Sequence, residues 1–81
     1  MSETIQSMSF GQKLVGITFN PSGDEKINKA KTLCAELADL VHENYMDSET
    51  GSTHADILYN HTIGEILNAQ MNVVKLLTLK Y

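Results

Sequence analysis

From Ile27 onward, apolar residues return every third or fourth position, at Ile27, Ala30, Cys34, Leu37 and Val41, with Leu33, Ala38 and Leu40 widening the stripe. That is the period of an amphipathic helix, and it predicts one over about residues 23–45, a rod of roughly 33 Å at 1.5 Å per residue. The start is marked by chemistry as well as by period. Asn20 precedes Pro21, which steers it toward extended geometry, so NPSG reads as a turn. Ser22 and Glu25 then stand at capping-box spacing, and Asp24 and Glu25 suit the positive end of the helix dipole.

The run MDSETGST replaces the pattern with short polar residues and Gly51, which predicts a loop. Thr53 and Asp56 repeat the capping-box spacing, so a second helix is expected from about 54 to 80. Ile63, Ile66, Leu67, Ala69, Met71, Val73, Val74, Leu76, Leu77 and Leu79 follow along it, and toward its end they cover more than one face. Two antiparallel helices meet along one seam only. The other apolar face of 66–79 would stay in water, an exposure too large for a monomer. The expected fold is therefore all-α: an antiparallel two-helix hairpin, one domain over 1–81, completing its core in a compact homo-oligomer.

Ahead of the first helix the pattern is weaker. Residues 1–13 are polar and predict a flexible arm. Val15, Ile17 and Phe19 alternate with Gly16 and Thr18, which reads as a short extended segment. An irregular strap laid on a helix fits the same spacing.

Composition narrows the setting. An 81-residue chain buries a modest share of its surface, and with a single cysteine, Cys34, it has no internal disulfide to help. Association with further copies is the ordinary remedy. The N-terminal segment lacks the basic start and apolar run of a secretory signal, and no stretch approaches the ~20 apolar residues of a membrane span, so a cytoplasmic protein is expected. Net charge is -4, yet four of the six lysines fall in residues 1–31, whereas residues 32–74 hold seven acids and no lysine. Long duplex nucleic acid needs a broad basic footprint, and this chain has none. A small anion needs only a few local donors.

Positive charge gathers around ITFNPSGDEKINKAK, with Lys26, Lys29 and Lys31. Lys31 lies about 40° around the helix from Ile27, at the margin of the stripe, where its ammonium can enter a crevice or snorkel to water. Phe19, just before the capped turn, can act as a hydrophobic staple or as a stacking platform for a base. Lys26 and Lys29 read as solvated charge. Asn28 between them offers donors and acceptors to a base edge or a phosphate. His54 and His61 are two helical turns apart, about 10.5 Å, too far to share one metal ion, and His42 lies on the other helix. All three histidines are read as loop or surface residues, with no metal and no cofactor. No nucleophile elbow or phosphate loop is present and Cys34 lies in the apolar stripe, so binding is expected rather than catalysis.

The run VGITFNPSGDEKINKAKTLCAELADLVHE, followed after a polar loop by a helix ending IGEILNAQMNVVKLLTLKY, resembles the small bacteriophage helical-hairpin proteins of the anti-CBASS and anti-Thoeris group. The resemblance covers roughly residues 14–79. It implies a homo-oligomer, usually a hexamer, that sequesters cyclic oligonucleotide signals in the bacterial host cytoplasm without cleaving them. It also implies ligand pockets between protomers, with an aromatic ahead of the long helix stacking on a base and a lysine on that helix meeting phosphate. Phe19 and Lys31 hold those places, with Lys26 and Asn28 nearby. Relatives often carry tyrosine where this chain has Phe19, which affects the nucleobase preference. A different reading remains open: a helical interaction module that captures a host protein through an exposed apolar face.

Overall fold

The computed structural model describes residues 8–18, 20, 23–47 and 53–79. Three helices account for almost all of them: α1 (Phe10–Val15), α2 (Glu25–Asp47) and α3 (Thr53–Thr78). No helix among the described residues is long and apolar enough to cross a membrane.

The two long helices form where the 3.6-residue period predicts them. The period does not fix their ends to the residue, and α2 runs two residues later than expected at both ends. Its first turn is capped by Asp24, whose carboxylate accepts from the backbone N–H of Lys26 at 2.7 Å. The chain reaches Asp24 through Gly23, whose φ of +66° is a left-handed conformation that glycine adopts without strain. The expected Ser22 capping box and the turn proline Pro21 lie outside the described residues. Thr53 opens α3 as its first residue, and Asp56, expected to cap it, sends its carboxylate across to the Tyr45 hydroxyl on α2.

Side-chain pairs fix how α2 and α3 lie. Tyr45 meets Asp56 and stacks on Tyr59, and His42 one turn earlier also meets Tyr59. Farther along, Lys31 of α2 and Gln70 of α3 converge on the C-terminal end of α1. Residue numbers fall along α2 as they rise along α3, so the two run antiparallel.

The N-terminal expectation is corrected. Residues 10–15 are a helix, neither a flexible arm nor an extended segment, while residues 1–7 lie outside the described set. The alternation of Val15 and Ile17 was too short to specify a strand. The sequence also carries a local helix start: Ser9 and Gln12 form a complete capping box, Ser9 Oγ accepting from Gln12 N at 3.1 Å and Gln12 Oε1 accepting from Ser9 N at 2.9 Å.

The single stripe expected on α2 is corrected as well. Ile27, Lys31, Ala35 and Ala38 are buried within the chain, whereas Leu33, Leu37 and Leu40 are 50 to 65% exposed. A helix whose apolar positions span so wide an arc cannot turn all of them toward one neighbour. The small residues Ala35 and Ala38 face inward because α1 approaches α2 closely there, through Gly11. On α3, only Ile66 and Gln70 are buried, and Met71 and Leu76, with Leu79 just past the helix end, stand in the open. The chain measures 46 × 35 × 13 Å, a thin plate, and no large side chain among the described residues is completely sealed.

Candidate functional site

The site is built at the C-terminal end of α1. Six residues make a helix of less than two turns, so its stability depends on what satisfies its ends. At the front, Ser9 supplies the capping box and Asp39 of α2 accepts from the backbone N–H of Gly11 at 2.5 Å. At the back, Gly16 takes the left-handed conformation (φ 65°, ψ 55°), and Ile17 N–H bonds to Gln12 O at 3.0 Å, which closes the last turn.

Beyond that closure, the carbonyls of Val15 and Gly16 are each met by a side chain from a different long helix. Lys31 Nζ of α2 donates to Gly16 O at 3.1 Å. Gln70 Nε2 of α3 donates to Val15 O at 3.2 Å. The carbonyl end of a helix carries partial negative charge, so a cation there is favoured. Lys31 is 6% exposed and Gln70 8%. Between α1 and α3 a groove of about 580 Å³ opens beside these groups, with Lys13 on its rim and Leu14, Leu67, Met71 and Val74 in its walls. The groove is shallow and open to solvent, with an apolar wall and few polar groups.

Of the residues singled out from the sequence, Lys31 is in the groove. Its ammonium is tied to a backbone carbonyl inside that crevice rather than snorkelling to water, and it caps α1. Lys26 and Asn28 are exposed on the first turns of α2, about 160° apart at 100° per residue, and neither lines the groove. Phe19 lies outside the described residues. Sequence reasoning missed Lys13 and Gln70. The capping box at Ser9 would have placed Lys13 in the last turn of a helix, but nothing local marks Gln70 among the polar residues of α3.

A second cluster lies toward the other end of α2. Phe10 stacks on His42 with ring centroids 4.0 Å apart and an interplanar angle of 9°. His42 Nδ1 and the Tyr59 hydroxyl share a hydrogen bond of 2.8 Å, and Tyr59 stacks on Tyr45 at 4.0 Å. His42 is thus a packing residue between α1 and α3, not the loop or surface group expected. His54 and His61 are exposed, with His61 Nε2 3.4 Å from Glu65.

The Tyr45 phenol is held above its ordinary range, first by its hydrogen bond to the Asp56 carboxylate and then by desolvation and the negative charge of Asp56. Because the folded state binds this proton more tightly than the unfolded chain, the associated stability is present through neutral pH. It is lost as pH rises through the raised value, above the ordinary phenol value of about 10. The phenolate absorbance of the wild type should therefore finish rising at a higher pH than that of Tyr45→Phe. If the two titrations end together, the contact with Asp56 does not act on Tyr45 in solution.

Comparison of the chain with protein-family models, with curated proteins and with solved structures gave no match.

Proposed function

We propose that this protein is an anti-defence sponge that binds cyclic oligonucleotide second messengers, such as 3',3'-cyclic GMP–AMP, and holds them without cleavage. The observation that carries the reading is the groove at the C-terminal end of α1, where Lys13 and Lys31 stand against the apolar walls formed by Leu14, Leu67, Met71 and Val74. A cyclic dinucleotide has two phosphates and two flat bases, and it asks for few cations and much apolar contact. The two lysines sit within an otherwise acidic chain, which suits a small anion better than a polyanion.

In this reading Lys13 on the rim meets phosphate directly, and Lys31 supplies a fixed positive charge behind it. Phe19 takes the stacking role that the anti-CBASS resemblance implies, and Asn28 contacts ligand from a neighbouring protomer. The exposed apolar residues Met71 and Leu76 of α3, and Leu79 just past its end, are covered by further copies, in the hexamer that the resemblance implies. Sequestering the signal would blunt the immune response of a bacterial host to its phage.

The same exposed residues favour one other reading, in which a host protein rather than another copy covers them. Equilibrium binding to a panel of cyclic di- and trinucleotides, followed by heat release and chromatography of the bound fraction, separates the cases. The sponge returns intact ligand, and Lys13→Gln, which removes the charge without setting an anion against the carbonyl end of α1, binds it about tenfold more weakly. A cleaved product would make the protein an enzyme. Failure to bind any member of the panel would leave the interaction module.

A further inference from the structure

The apolar face that α2 leaves uncovered has an order of its own. At 100° per residue, Leu33, Leu37 and Leu40 lie roughly 150° from the face that Ile27, Lys31, Ala35 and Ala38 turn inward. Ala30, Leu33, Leu37, Leu40 and Asn44 step by three, four, three and four, the spacing of a coiled-coil seam with one polar core position. Charge along the seam is polarised: Lys26 and Lys29 flank its start, Glu43 and Asp47 its end, and all four are exposed. Among the described residues neither Lys29 nor Glu43 stands in an ion pair within the chain.

A polarised seam is complementary to itself when reversed. Setting Leu33 against the partner's Leu37 in an antiparallel pair places Ala30 against the partner's Leu40 and Lys26 against the partner's Asn44. It also brings Lys29 beside the partner's Glu43, twice by symmetry, and aligns α2 along nearly its whole length. A parallel pair would instead set like charges level with each other at both ends.

We propose that the Leu33, Leu37 and Leu40 face of α2 seats a second copy of this chain, the two α2 helices running antiparallel across a twofold axis with Lys29 of each beside Glu43 of the other. The pairing involves a different surface from the groove, and it stands whether or not that groove holds a nucleotide. Two residues lie next to their own mates at the axis. Cys34 faces the partner's Cys34 on one flank of the seam, and Glu36 faces the partner's Glu36 on the other, the one like-charge contact in the arrangement.

A short bismaleimide acting on Cys34, the chain's single cysteine, reads this contact whatever the size of the whole assembly. The reaction belongs at mildly alkaline pH, because burial raises the Cys34 thiol. Wild-type protein should give a covalent dimer. Lys29→Glu and Glu43→Lys should each weaken association by roughly tenfold, since each converts two attractions into two repulsions. The double variant should recover it, and Glu36→Gln should tighten it. All these positions are exposed, and circular dichroism checks that each variant folds. Wild-type chains that sediment as monomers, a wild type that does not crosslink, or a double variant no better than the single ones would overturn the pairing, including the case in which another protein occupies this face.

Discussion

Gly11→Ala should undock α1 and cost about 3 kcal/mol of stability, at the upper end of what overpacking a tight contact usually costs. A Cβ built on Gly11 meets the carbonyl oxygen of Ala35, lies 2.8 Å from the carbonyl carbon and 2.9 Å from Asp39 Oδ1. Two of those three atoms are backbone in the middle of α2 and cannot move aside as a side-chain tip could. The helix must back away instead, and in doing so it lengthens the 2.5 Å bond from Gly11 N–H to Asp39. Gly64, exposed on α3 with nothing within 4 Å of the same position, supplies the control. Gly64→Ala should be neutral or slightly stabilising, since alanine is the better helix former by about 1 kcal/mol. Thermal melts of both variants decide it: equal melting temperatures would mean that α1 is not packed on α2 in solution.

The same contact explains what the sequence made legible. Period and loop chemistry are local, and they were enough for two long helices and the polar break between them. The reading of residues 8–18 failed because α1 is too short to show a period, and Gly11 has no side chain with which to mark one. Its lack of a side chain serves instead to let two helices touch, which is a relation between Gly11 and Ala35 that no window around either residue contains. The division of α2 into two faces is equally non-local. Leu33, Leu37 and Leu40 look like core until α1 and α3 take up the other side of the helix. In the site, Lys31 was recognisable as a lysine at the edge of an apolar stripe, yet its partner, Gly16 O, became a target only once α1 existed. Gln70 had no signal at all, because a buried amide on a mixed helix is distinguished only by the carbonyl it meets.

Replacing Lys31 therefore tests the fold before it tests any ligand. Lys31→Met keeps most of the aliphatic stem and removes the ammonium, leaving Gly16 O without that donor at a helix end whose partial charge is negative. Hydrogen bonds from charged donors contribute about 1.5–3 kcal/mol, and the ligand-free variant should lose an amount in that range. Gln70→Leu removes the companion donor to Val15 O, a neutral one, and should cost about 1 kcal/mol. Both side chains secure the same end of the same six-residue helix, so the two losses are coupled: once α1 has frayed, the second substitution has less left to remove, and the double variant should lose less than the combined single losses. Urea unfolding of the four proteins measures the coupling. Strict additivity would mean that α1 does not depend on the two long helices as one unit. A wild-type stability for Lys31→Met would mean that the ammonium leaves Gly16 in solution and that its place in the groove is available to an anion without cost.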